Sequence, residues 1–252
     1  MSIAYLDVMK SALVTGSARR LGRAIAIALG REGYNIHVHC CRSLNDAEET
    51  ARQVRDLGVS ASVVVADLAD IGQAAGLIAR CKGLGPLTCL VNNAALYEPD
   101  GEAGLDAASF DRQMAVNLRA PLALASAFAA QLPEGMPGLI LNILDSRTAA
   151  LPARFTSYCA SKAALAAATE MLALSLGPRI RVNAIAPGLV MDSASEAGVD
   201  FDRIREANLL KRRVDLGDIA AAATYLLHAT AVTGQTIYVD SGQRFTSTRY
   251  LK

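Results

Sequence analysis

The stretch Ser11-Ala-Leu-Val-Thr-Gly-Ser-Ala-Arg-Arg-Leu-Gly22 (SALVTGSARRLG) decides the fold. It opens with a short apolar run that ends in Thr15-Gly16, the pattern of a buried strand entering a loop. From Arg20 to Arg31 apolar residues recur at helical spacing, and Gly33 follows as a stop signal. Strand, glycine-bearing turn and helix in that order make an anion-binding device. Glycines let the backbone approach a ligand closely, and the helix start presents N–H groups with no partner inside the helix. Gly16, Arg19, Arg20, Leu21 and Gly22 are therefore candidate phosphate-binding residues. An ordinary βα turn shares this local pattern, so the segments that follow decide its meaning.

Those segments alternate. Strand patterns cover residues 35–40, 60–67, 87–93, 138–144, 180–187 and 235–240. Helical patterns cover 46–57, a segment ending near Cys81, 107–132 with an interruption near Pro121, 156–176 and 216–228. Seven strands separated by helices predict an α/β chain with a Rossmann-like, doubly wound, seven-stranded parallel sheet covered by helices on both faces. No linker or repeat divides it, so residues 1–252 are expected to form a single dinucleotide-binding and catalytic domain. Within it, 1–10 is an N-terminal segment, 188–213 a substrate loop and 245–252 a polar tail. Residues 94–106 and 188–213 are long connections after strands, on the edge where such sheets bind ligands.

Composition narrows the class. Apolar residues make up 52% of the 252 and charged residues 19%, which suits an ample core rather than disorder. A formal charge of +1 gives no general reason to expect nucleic acid or an acidic membrane as partner. The five cysteines form no C-x-x-C pair and no zinc pattern, which points to a reducing cytoplasm and to no metal. The N-terminus lacks a secretion signal, and no uninterrupted apolar run is long enough to span a bilayer, so a soluble protein is expected.

The end of the second strand selects the cofactor. A site for NAD usually places an acid there for the ribose 2′-hydroxyl. Here the chain reads His39-Cys-Cys-Arg-Ser43, with no acid until Asp46. Arg42 offers a guanidinium to a 2′-phosphate, Ser43 offers a further hydrogen bond, and Arg19 adds charge from the first turn. NADPH is expected over NADH.

Taken together, Thr15-Gly16 with Gly22, Asp67, Asn92-Asn93-Ala94, Asn117, Tyr158-x-x-x-Lys162 and Pro187-Gly188 resemble the short-chain dehydrogenase/reductase family over nearly the whole chain. The resemblance implies a nicotinamide cofactor and often a homotetramer. It implies that Tyr158 is the general acid and that Lys162, one helical turn on, stabilises the phenolate and holds the nicotinamide ribose. Asn117 would hold a relay water, Asn93 and Ala94 would line the cofactor, Asp67 and Leu68 would flank the adenine, and the backbone at Pro187 and Gly188 would meet the carboxamide. Two departures are informative. Arg20 stands where most members have Gly, and Asp145 stands thirteen residues before Tyr158, where most have a catalytic Ser. Both resemble pteridine reductases and dihydromonapterin reductases, as do the aromatic Tyr97 after Asn-Asn-Ala and Leu189 in Pro-Gly-Leu. Arg20, Tyr97, Asp145, Tyr158 and Leu189 are then the candidate substrate-binding residues.

Chemistry agrees with that assignment. Ketone reduction builds an alkoxide, which an ionised carboxylate beside it would repel. A pterin C=N bond instead collects a proton on nitrogen, which a carboxyl group can supply or relay. NADPH-dependent reduction of a pterin, of dihydropterin, biopterin, monapterin or folate type, is the expected activity. The alternative is a carbonyl reductase or alcohol dehydrogenase in which Ser146, at spacing twelve, polarises the carbonyl. A cofactor-binding sensor without activity is a third class, from which loss of Tyr158 or Lys162 would be expected. A small-molecule substrate is the only other partner expected.

Overall fold

Strand β1 (Ser11–Val14) pairs on one side with β2 (Asn35–Cys40), which pairs with β3 (Ala61–Val65). On its other side β1 pairs with β4 (Leu87–Asn92), followed outward by β5 (Gly138–Ile143), β6 (Ile180–Pro187) and β7 (Thr236–Val239). All pairings are parallel, and the order is β3-β2-β1-β4-β5-β6-β7. The computed structural model describes residues 9–100, 105–149, 155–190 and 206–246. Residues 1–8, residues 191–205 of the expected substrate loop and the tail from residue 247 lie outside the described residues.

Helices cover both faces of the sheet, as the continuous apolar strands require. On one face lie α1 (Arg20–Arg31), α2 (Leu44–Arg55) and α7 (Leu216–His228), whose Ile25, Leu29, Val54, Ile219 and Leu226 pack on Val14, Val38 and Leu141. On the other lie α3 (Ile71–Arg80) and α5 (Ala120–Gln131), whose Leu77, Leu124 and Phe128 pack on Leu13, Leu90 and Ile140. Each such fully buried side chain contributes roughly 1.5–3 kcal/mol. The strand order reverses between β1 and β4, so the helices following these two strands leave in opposite directions. A crevice opens there at the carboxyl ends of the strands.

The region 107–132, expected to hold one or two helices interrupted near Pro121, is three pieces. α4 (Ala107–Met114) passes into a wider π turn (Ala115–Arg119) before α5 begins. Pro121 has no N–H to give to the Asn117 carbonyl four residues back, and the ladder locally shifts to a five-residue step, with Ala120 N–H donating to the Ala115 carbonyl. α2 starts two residues before its expected boundary, with Ala47 N–H donating to the carbonyl of Ser43 ahead of it.

One helix bears on the expectation that no uninterrupted apolar run spans a bilayer. Helix α6 (Thr156–Leu176) is long and apolar enough to cross a membrane by length and composition. Polar Ser157, Ser161 and Lys162 interrupt its apolar residues, which is why no run in the sequence marks it. In the fold those three are buried, and Leu165 packs with Leu144, Ala184 and Ala186. Burying Lys162 on one side of the helix is the arrangement of a protein interior rather than of a lipid-facing span.

Strand β2 also buries two imidazoles. His37 Nδ1 lies 2.8 Å from Ser62 Oγ, and burial lowers the pKa values of His37 and His39 to about 4 each. Both are neutral in the fold, whereas the unfolded chain takes up protons near pH 6.5. The unfolded state then binds more protons between about pH 6.5 and about 4. The corresponding stability is fully present above that window and is lost as the pH falls through it. Melting temperatures measured from pH 7 down to pH 4 should fall accordingly, and His37→Gln should make the fall shallower; an equal slope in that variant would count against this origin.

Candidate active site

The turn between β1 and α1 is pressed against the end of β4. Thr15 Oγ1 donates to the Val91 carbonyl and accepts the N–H groups of Asn93 and Ala94. Asn93 Nδ2 in return donates to the carbonyls of Thr15, at 2.7 Å, and Gly16, at 3.1 Å. This closeness is what the glycines permit. Gly16 has φ +63°, and a Cβ on Gly22 would lie 2.4 Å from the Gly16 carbonyl oxygen. Arg19 precedes α1 in an extended conformation without capping the helix by its side chain. The first-turn N–H groups of α1 thus keep the anion-binding character expected of them.

His39 completes this turn and was not singled out in the sequence. Its Nδ1 accepts the Gly16 N–H at 2.9 Å, and its Nε2 donates to the Ala66 carbonyl at 3.1 Å. These two bonds assign the neutral tautomer, in agreement with the lowered pKa. A second imidazole in a buried strand, just before the turn toward Arg42, was the available signal. Arg20 was singled out, and its backbone explains why the family prefers Gly there: its φ is +50°, a left-handed conformation that carries a penalty for any residue with a Cβ.

A cleft of about 770 Å³ follows this turn, with Arg20, Arg42, Ser43, Asp67, Leu68 and Asn93 among its lining residues. Arg42 is exposed, and Ser43 begins α2 without using its hydroxyl to cap it. Asp46, the first acid after β2, is paired with Arg19 at 2.6 Å, an exposed contact worth no more than about 1 kcal/mol. A Cβ-free cradle, a helix start and an arginine at the end of β2 fit a dinucleotide carrying a 2′-phosphate. At the far end of the crevice, Gly188 N–H donates to the Val239 carbonyl and Leu189 N–H to Gln243 Oε1, which fixes the turn after Pro187.

Asp145 and Tyr158 meet. The Tyr158 hydroxyl donates to Asp145 Oδ2 at 3.1 Å, while Asp145 Oδ1 accepts the Arg147 N–H at 2.8 Å. Ser146 is buried in the short 3₁₀ turn that follows β5 (Ser146–Ala149), so Asp145 rather than Ser146 holds the tyrosine. Burial, and after it the charge of Asp145, push the Tyr158 pKa well above its ordinary value. Lys162 is buried one turn on. Its Nζ donates to the Ile143 carbonyl at 2.7 Å and lies 5.9 Å from the Tyr158 ring centroid. Burial lowers its pKa to about 8, against a smaller opposing pull from Asp145.

Asn117 has a fully committed side chain. Its Oδ1 accepts the Leu96 N–H, and its Nδ2 donates to the Leu96 carbonyl and to Ser161 Oγ. The side chain therefore pins the loop after β4 to α6. Tyr97, next in that loop, meets Tyr158 edge to face at 4.8 Å and stacks on Phe155 at 4.5 Å. Arg147 donates to the Tyr97 hydroxyl at 2.6 Å, and its Nε lies 3.8 Å from Asp145 Oδ1. Phe155 and Arg147 were not expected at the site. Phe155 lies three residues before Tyr158 on a helix start, a spacing that the sequence alone does not distinguish from surface.

The chain is similar to known oxidoreductases over most of its length. Residues 16–244 match the family described as Enoyl-(Acyl carrier protein) reductase. An uncharacterized oxidoreductase of Mycobacterium tuberculosis is 37% identical over 94% of this chain and 92% of the relative. The 3-oxoacyl-[acyl-carrier-protein] reductase FabG of Staphylococcus aureus is 31% identical over 94% of this chain and 99% of the relative. Among solved structures, FolM alternative dihydrofolate reductase 1 from Brucella suis, in complex with NADP, is 42% identical. That match covers 93% of this chain and 95% of the other, with a TM-score of 0.88.

Because a Cβ at position 22 would collide with backbone at 2.4 Å, Gly22→Ala must displace the turn. The expected result is a loss of about 1–3 kcal/mol in unfolding free energy together with weaker NADPH binding. Denaturant titration and NADPH fluorescence titration measure the two effects, and an unchanged dissociation constant would contradict the placement of the phosphates here.

Proposed function

The chain belongs to the short-chain dehydrogenase/reductase family and is an NADP-dependent oxidoreductase, and from that premise we propose that it reduces a C=N bond of a pterin of the dihydropterin or dihydrofolate type. The observation that carries this reading is the hydrogen bond from the Tyr158 hydroxyl to Asp145 Oδ2. A carboxylate beside the proton donor disfavours a developing alkoxide. It suits a nitrogen heterocycle, whose N–H groups it can accept while the reacting nitrogen gains a proton. The Brucella suis structure, described as an alternative dihydrofolate reductase and complexed with NADP, supports the same class.

Bound NADPH supplies the hydride. The residues suited to hold it are the first turn of α1 with Gly16 and Gly22 at the phosphates, and Arg42, Ser43 and Arg19 at the 2′-phosphate. Asp67 and Leu68 lie toward the adenine, Asn93 and Ala94 along the cleft, and Pro187-Gly188 near the carboxamide. Lys162 donates to the ribose in this reading.

Tyr158 delivers the proton. Burial and Asp145 keep it protonated to high pH, so it enters the reaction carrying the proton that the substrate takes up. Asp145 orients the hydroxyl and accepts from the heterocycle. Tyr97 covers the ring, with stacking of order 1 kcal/mol, and Arg20 and Leu189 bound the pocket. The Asn117 side chain is occupied by Leu96 and Ser161, whereas its main-chain carbonyl loses its usual helical donor to Pro121. That carbonyl is the group suited to a relay water.

Reduction of a carbonyl is the second reading, favoured by the likeness to the S. aureus 3-oxoacyl reductase. Two substrate panels separate them, dihydropterins and dihydrofolate against ketones and 3-oxoacyl thioesters. Tyr158→Phe should lower kcat by roughly 10²–10⁴-fold on the accepted substrate. Asp145→Ser should cut pterin turnover at least about tenfold while sparing or creating ketone turnover. Rapid NADPH oxidation by ketones alone in the wild type would overturn the pterin assignment.

The pH profile gives an independent check. Lys162 carries its charge below about pH 8 and loses it above. NADPH affinity and kcat/KM should therefore decline above about pH 8, well before the titration of Tyr158. A flat profile to pH 10 would contradict the role given to Lys162.

A further inference from the structure

Helix α6 lacks a cap of its own. The residue at its start, Phe155, is left-handed at φ 63° and ψ 42° and supplies no side-chain hydrogen bond to the helix. The cap comes from Asp100, 57 residues upstream, in the loop after β4. Asp100 Oδ1 accepts from Ser157 Oγ at 2.6 Å, and its two carboxylate oxygens lie 3.2 and 3.4 Å from the Ser157 N–H nitrogen. The Thr156 backbone and hydroxyl also hydrogen-bond to it. A negative charge at a helix start is favourable, and these donors are the ones that a local cap would otherwise satisfy.

The same loop carries the substrate-side groups. Leu96 is held by Asn117, Tyr97 packs on Phe155 and Tyr158, and Glu98 pairs with Arg112 at 3.2 Å. Asp100 ends this run and binds the residue immediately before Tyr158. Ring contacts of Tyr97 and the bond from Arg147 also join the Tyr97 loop to the turn bearing Phe155 and Tyr158.

We propose that Asp100 is a positioning residue for the reduction: by capping α6 from the β4–α4 loop it locks Tyr97 and Phe155 in register with Tyr158, so that the substrate ring is held against the proton donor. This rests on the assignment of Tyr158 as that donor. Burial, the largest influence on Asp100, works against its charge, yet the hydrogen bonds from Ser157 and Thr156 together hold its pKa below the ordinary value. The latch therefore stays charged throughout the neutral range.

Asp100→Ala and Asp100→Asn test the proposal on whichever substrate panel, pterin or ketone, the wild-type protein reduces. A wrong substrate class then changes the panel, while a wrong role for Asp100 changes the variant result. Asp100→Ala should raise substrate KM roughly tenfold and lower kcat a few-fold, with the NADPH dissociation constant within about twofold of wild type. Asp100→Asn, which retains an acceptor for Ser157, should recover most of the loss. Unchanged kinetics in Asp100→Ala, or an equal loss of NADPH affinity, would overturn the proposal, as would an Asn variant no better than Ala. Should the Ala variant fail to fold, Asp100→Asn and Ser157→Ala carry the same comparison, each removing part of the contact.

Discussion

The approach of the β1–α1 turn to the end of β4 is the constraint on which the cleft depends. Gly22 and Gly16 come within a distance that no Cβ could occupy, and Asn93 and Thr15 tie the two segments together with hydrogen bonds in both directions. His39 anchors the same turn to the residue just past the third strand, and only its neutral form can accept from Gly16 while donating to Ala66. The crevice at the point of strand reversal is therefore a rigid backbone surface rather than a set of adjustable side chains.

On the opposite wall, electrostatics set the character of the catalytic pair. Removing Tyr158 and Lys162 from water shifts their pKa values in opposite senses, because burial opposes phenolate in one and ammonium in the other. Asp145 reinforces the shift of the tyrosine and partly offsets that of the lysine. Arg147 balances the carboxylate, and burial and the attraction to Asp145 act on its own guanidinium in opposing senses. The result is a small charged cluster whose every member is held by at least one further group.

Four described residues other than glycine are left-handed, Arg20, Phe155, Lys211 and Ser241, and the first two lie near the site. Arg20 takes the conformation of a glycine in the phosphate turn, and Phe155 does so at the start of α6. Arg20 is the first residue of α1 and lines the cleft, and Phe155 immediately precedes α6 and stacks on Tyr97. Such conformations persist only where surrounding contacts outweigh them. At Phe155 those contacts are the stack on Tyr97 and the remote cap from Asp100.

Much of this molecule is legible from local pattern. Strands β2 and β6 and helices α1, α6 and α7 have the boundaries that apolar spacing indicates, because continuous apolar runs and helical periodicity are properties of neighbouring residues. The turn at Gly16–Gly22, the pair Tyr158–Lys162 and the unusual Asp145 are likewise visible, since each lies at a fixed interval along the chain. The bond between Asp145 and Tyr158 spans thirteen residues, and whether Asp145 or Ser146 faces the tyrosine depends on how the turn after β5 is oriented. His39 under Gly16, Asn117 across Leu96, Arg147 on Tyr97 and Asp100 on Ser157 join residues that only the sheet order brings together. Short-range spacing carries no information about such contacts, because they follow from the packing of separate elements against one sheet.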